Sequence, residues 1–127
     1  MSKKKPRPTP VPAESIPGLV DAHTHLASAG AETKPDVDAM VDRALAAGVE
    51  RICTVGDGLA EAELALKAAH YNERVVAACA IHPTRAGELD QAARARLTEM
   101  AADPRCVAVG ETGIDTYWLA HDAEGTA

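Results

Sequence analysis

The sequence predicts an α/β fold in which four parallel strands alternate with three helices, arranged as the N-terminal half of a (β/α)8 TIM barrel. Three observations carry this. Short β-rich apolar runs recur from residue 18 onward, segments with helical spacing of apolar residues separate them, and polar groups suited to chemistry collect where the runs end. Alternation of this kind gives a parallel sheet joined by right-handed crossovers. Barrel folds gather their functional groups at the C-terminal rim of the strands.

The chain opens with a separate compositional block, residues 1–17, in which Lys3, Lys4, Lys5 and Arg7 are followed by prolines through Pro17. Such a segment cannot bury a core, and four charges without aromatics are too few to specify a nucleic acid. It is expected to be a disordered, solvated tail, with residues 18–127 forming the folded domain. The first strand is "GLVDAHTH". Val37, Met40, Val41, Ala44 and Leu45 then fall at i, i+3, i+4, i+7 and i+8, with Pro35 near the start and Gly48 at the stop, which predicts an amphipathic helix. "RICTVGD" is the second strand. Ala62, Ala65, Leu66 and Ala69 make a weaker helical stripe before the third strand, "VVAACAIH". Leu89, Ala92, Ala93, Leu97 and Met100 make the third stripe, which ends before Pro104, and "CVAVGETG" is the fourth strand. Strand starts near 19, 51, 75 and 106 are about 29 residues apart on average.

Composition narrows the function classes. With 127 residues, 46% apolar and 25% charged, the chain has the make-up of one soluble globular domain. A net charge of -6 argues against a general nucleic-acid-binding surface but leaves room for a local phosphate site built around a metal. No segment approaches the roughly 18 apolar residues of a membrane span, and the N-terminus lacks the apolar core of a secretory leader. A cytoplasmic location is expected. Cys53, Cys79 and Cys106 are widely spaced within apolar runs, which reads as buried reduced thiols rather than a thiolate metal site.

The rim residues separate a barrel from an open doubly wound sheet. A doubly wound nucleotide binder would carry a glycine-rich loop after its first strand, where this chain has "HLASAG". His23 and His25 close the first strand instead, Asp57 follows the second, His82 closes the third and Glu111 the fourth. On a strand, His23 and His25 share a face about 6.6 Å apart, so both can reach one ion. Val107, Val109 and Glu111 share a face in the same way, which brings a carboxylate to the same rim. Imidazole plus carboxylate without thiolate suits a divalent ion such as Zn or Mn, and an open coordination position would let it activate a water. Asp57, between glycines, reads as a cap or turn residue, and Asp115 as a turn residue. Asp21 either orients a ligand or makes a structural hydrogen bond. Trp118, the single tryptophan, either stacks on a base or lies across the barrel mouth. His121 sits in a polar stretch and is not a ligand candidate.

"VDAHTHL", then "AIHP", then "VGETGIDTYW" resemble the N-terminal signatures of TatD-type metal-dependent deoxyribonucleases, over about residues 18–118. G-E-x-G-[LI]-D is the most diagnostic of the three. The resemblance implies a (β/α)8 barrel of the amidohydrolase-like kind carrying one or two divalent ions (Mg, Mn or Zn) that hydrolyses phosphodiester bonds, with DNA or a small phosphodiester as substrate. It implies that His23 and His25 bind the first metal, that Glu111 bridges the two ions as the catalytic carboxylate, and that His82 faces the substrate.

The departure from that family is one of extent. A full barrel needs about 250 residues, and the family's remaining ligands, two histidines and an aspartate on later strands, have no counterparts here. The sequence is therefore expected to be the N-terminal portion of a longer enzyme, inactive by itself, with an open apolar face and unpaired strand edges that favour self-association. An amide or lactone hydrolase of the same barrel superfamily is the alternative activity, and a fragment that only self-associates is the non-enzymatic one.

Overall fold

The structure, a computed structural model, describes residues 6–117; Lys3, Lys4, Lys5, Trp118 and His121 lie outside them. Strands β1 (Leu19–Thr24), β2 (Val49–Val55), β3 (Val75–Ala78) and β4 (Cys106–Ala108) form one parallel sheet in the order β1-β2-β3-β4. Helices α1 (Lys34–Ala46), α2 (Leu59–Tyr71) and α3 (Gln91–Ala101) fill the crossovers. A doubly wound sheet reverses its strand order at a switch point. Here each strand adds on the same side of the last, and right-handed crossovers then stack the helices on one face. This is the arrangement of the first half of a (β/α)8 barrel.

The helix-facing side holds the core. Val37 and Val41 of α1, Ala62, Ala65, Leu66 and Ala69 of α2, and Met100 of α3 share one buried cluster with Ile52, Val75 and Ala77 of the strands. The first helix starts where the sequence directs it: the Thr33 side chain accepts from the Asp36 backbone N–H, the Asp36 carboxylate accepts from the Thr33 N–H, and Pro35 occupies the first turn. It stops at Gly48, whose φ of +90° disfavours any side chain, and a Cβ there would also strike the Ile16 carbonyl. Arg105 fixes the far end of α2, its guanidinium donating to the carbonyls of Ala69, Glu73 and Val75. The start of β4 is thereby tied to the end of α2 and the start of β3.

Several details differ from the sequence-based expectation. Leu89 and Ala92 do not belong to the buried stripe of α3, and both are exposed. The residues after His82 form a 3-10 segment, Pro83–Glu88, and the Asp90 side chain caps Ala93 N–H at 2.8 Å, so the helix begins at Gln91. Ala80, which strand alternation directs toward the open side of the sheet together with Leu19, Val107 and Val109, is instead buried, and it lines an apolar cleft with Pro83 and Ala86 of that segment and Leu97 of α3. Leu19, Val107 and Val109 do stay exposed, with Val109 at 63%. Of the cysteines, only Cys79 is buried; its thiol is pushed up to about 12, chiefly by burial, while Cys53 and Cys106 are half-buried, and all three are free. Residues 6–15 carry no helix or strand, but the chain is already joined to the fold at Ile16, whose N–H donates to the Ala47 carbonyl at 3.3 Å.

Candidate metal centre

The end of β1 is pinned to β2 by two bonds that set the histidines. The N–H of Leu26 donates to the hydroxyl of Thr54 at 3.2 Å, and Thr54 is the one buried polar residue among those described. The Nδ1 of His25 lies 2.9 Å from the Val55 carbonyl oxygen. A carbonyl only accepts, so Nδ1 carries the proton and Nε2 keeps its lone pair for a ligand. Asp21 accepts from the His23 backbone N–H at 3.1 Å. Of its two possible roles the structural hydrogen bond is the one seen; it holds the strand, not the ring.

The imidazoles of His23 and His25 meet edge to face, with ring centroids 5.1 Å apart and planes at 68°. Glu111 joins them from the other end of the sheet. Its strand is shorter than the sequence suggests: β4 ends at Ala108, so the carboxylate is delivered by the turn that follows. Glu111 Oε2 lies 3.3 Å from His23 Nε2, and Oε1 lies 3.2 Å from His82 Nε2. One potential ligand atom from each of His23, His25 and Glu111 lies within 4.8 Å of the others. Ligand bonds of roughly 2.1 Å place bound atoms at most roughly 4.2 Å apart, so small side-chain rotations suffice to bring all three onto one ion. Two nitrogens and a carboxylate oxygen fit a divalent Zn or Mn ion.

His82 also lies past its strand, four residues beyond the end of β3. Its Nδ1 accepts from the Thr84 backbone N–H at 3.1 Å, with the Thr84 hydroxyl at 2.7 Å. Nε2 therefore carries the proton and presents it to Glu111.

Asp57 lies in the bend between β2 and α2, as expected of a turn residue, but the other expected role, a cap, is not seen. It does not cap α2: Gly58 is the N-cap, no side chain caps that helix, and a Cβ at Gly58 would run into the Arg85 guanidinium. The Asp57 carboxylate instead reaches the rim, with Oδ1 3.2 Å from His25 Nδ1, and the Asp57 carbonyl accepts from the His82 N–H at 2.9 Å. Its place after a strand was visible in the sequence; the direction of its side chain was not. Asp115 accepts from the Tyr117 N–H at 2.8 Å, as a turn residue does.

Comparison with known proteins agrees with this geometry. The family model for TatD-related DNases matches residues 20–125. The chain is 54% identical over 100 residues to an uncharacterized metal-dependent hydrolase TatD of Mycobacterium tuberculosis, covering 79% of this chain and 38% of that protein. It is 32% identical over 100 residues to the uncharacterized metal-dependent hydrolase YabD of Bacillus subtilis, with the same coverage of 79% and 38%. Over 80 residues it is 35% identical to a 3'-5' ssDNA/RNA exonuclease TatD of Escherichia fergusonii, covering 63% of this chain and 31% of that protein. The matched region thus spans well under half the length of these relatives.

Proposed function

Because the chain belongs to the TatD-related DNase family, we propose that it supplies the first part of the active site of a metal-dependent hydrolase that cleaves phosphodiester bonds in DNA or a related nucleic acid strand. The observation that carries this is the convergence of His23, His25 and Glu111 at one end of the sheet, within reach of one ion. Relatives named as single-stranded DNA and RNA exonucleases support the substrate class.

In this reading His25 offers Nε2, because Val55 holds the proton on Nδ1. His23 completes the imidazole pair, and Glu111 is the catalytic carboxylate, shared between one or two ions. A divalent ion (Mg, Mn or Zn) would supply the positive charge that stabilises a phosphoryl group during displacement. His82 stands beside the substrate and keeps Glu111 oriented through its Nε2 proton. Three protein donors among the described residues hold an ion less tightly than a complete set, so the chain alone should turn over far more slowly than the roughly 1 per second of ordinary enzymes. Among the described residues no helix is long and apolar enough to cross a membrane.

The test is a labelled single-stranded oligonucleotide incubated with the chain and Mn, Mg or Zn, alongside a cyclic amide and a lactone. Slow, chelator-sensitive shortening of the oligonucleotide, lost in Glu111→Ala, is the expected result. Hydrolysis confined to the amide or lactone would replace the phosphodiester reading.

A further inference from the structure

Asp57 carries an anomaly that its neighbours do not relieve. Its Oδ1 is buried and has no hydrogen-bond partner. The His25 Nδ1 is 3.2 Å away, but its proton is directed to the Val55 carbonyl oxygen at 2.9 Å. A buried oxygen without a bond is unfavourable, and here it is this one atom, since the Asp57 side chain as a whole is 43% exposed. A helix cap is excluded by Gly58.

We propose that Asp57 is a positioning residue whose charge is held against His25 so that a cation bound at His25 Nε2 is drawn in and kept. This rests on the reading of His25 as a metal ligand. When Nε2 donates to a cation, the imidazole ring loses electron density and its Nδ1–H edge becomes more positive, and that edge is what faces Oδ1. The buried oxygen that has no hydrogen-bond partner then faces a more positive edge. Partners of this kind behind a ligating histidine raise its basicity and fix its orientation, and losing one typically weakens the metal about 10- to 100-fold. The same residue serves His82 through its backbone: the Asp57 carbonyl accepts from the His82 N–H at 2.9 Å. One position therefore touches both His25 and His82, by two separable groups. Changing the side chain alone leaves the His82 tether in place.

The separation makes the experiment decisive. Asp57→Asn keeps the shape and an acceptor oxygen while removing the charge; Asp57→Ala removes both. Each is compared with the parent chain and with His25→Ala by thermal unfolding without metal and by calorimetric titration with Mn2+ alone. The expected result is a melting temperature of Asp57→Asn without metal that equals or exceeds that of the parent, together with Mn2+ binding weaker by about tenfold or more. A purely structural aspartate would give the opposite pattern, lower stability with affinity unchanged. If His25→Ala loses Mn2+ binding while both Asp57 variants bind within twofold of the parent, the positioning role is wrong and the ligand reading stands. If the parent binds no Mn2+, or His25→Ala binds as the parent does, the ligand reading fails and the proposal with it.

Discussion

His82 and Glu111 face each other across 3.2 Å with the proton on a defined side: Thr84 N–H occupies His82 Nδ1, so Nε2–H points at Glu111 Oε1. His25 has the opposite arrangement, with Nδ1–H on Val55 and Nε2 open. Two histidines at one rim are thus set as opposite tautomers by backbone groups, one with its Nε2–H toward a carboxylate and one with Nε2 open. Two-bond proton–nitrogen correlation spectra at a pH where both are neutral should show His25 as the Nδ1–H form and His82 as the Nε2–H form. Matching tautomers would contradict the assignment. His82→Ala should free Glu111 and weaken Mn2+ binding while leaving the helical circular dichroism intact.

Thr54 should matter more than its size suggests. It is 1% exposed, and its hydroxyl takes the N–H of Leu26 just after His25. Thr54→Val keeps the volume but leaves that N–H without a partner, at a cost of about 1–3 kcal/mol. Urea unfolding should show this loss, and Mn2+ affinity should fall with it, because the end of β1 is no longer pinned.

Acid should unfold the domain through carboxylates that are bonded only in the folded state. The Asp36 carboxyl is lowered by Thr33, Asp38 by Lys34 and Asn72, and Asp103 by the Arg105 backbone N–H and His70, each below an ordinary value of 3.8. Glu63 is lowered from 4.5 by Arg96. A depressed folded value means the unfolded chain binds protons first. The contribution is therefore whole above about pH 4–5 and is lost as pH falls through the lower folded values. Urea midpoints measured between pH 6 and pH 3 should drop most steeply below pH 4.5, and less so in Asp103→Asn. A flat profile would contradict these assignments.

The exposed face should make the chain self-associate. Val107 and Val109 are 58% and 63% exposed, and β1 and β4 each pair on one side only among the described residues. Unpaired edges beside apolar surface recruit another strand. Size-exclusion chromatography of residues 1–127 should give a species larger than a monomer, shifted toward monomer by Val107→Lys with Val109→Lys. A monomer at high concentration would contradict this.

The elements that alternate regularly were legible in the sequence. The stripe from Val37 to Leu45, bounded by Pro35 and Gly48, marks α1 because one helix face is apolar and both ends carry their own stop signals. The residues after His82 were not legible in the same way: Leu89 matched a helical period, but Pro83 and the Asp90 cap set the backbone first. Glu111 is visible as part of a motif and not from strand alternation, since β4 ends before it. Asp57 shows the limit most clearly. Its neighbours in sequence are glycines that suggest a turn, whereas its partner, His25, is brought to it only by the pairing of β1 with β2.

Whether His23, His25 and Glu111 hold one divalent ion among them is read from electron paramagnetic resonance of free Mn2+ during titration into the chain and its Glu111→Ala variant. The parent chain should bind at least one Mn2+ at a site whose affinity falls about tenfold or more without the carboxylate, with the folded structure retained by circular dichroism. Equal Mn2+ uptake by parent and Glu111→Ala would show that the three residues do not form the site.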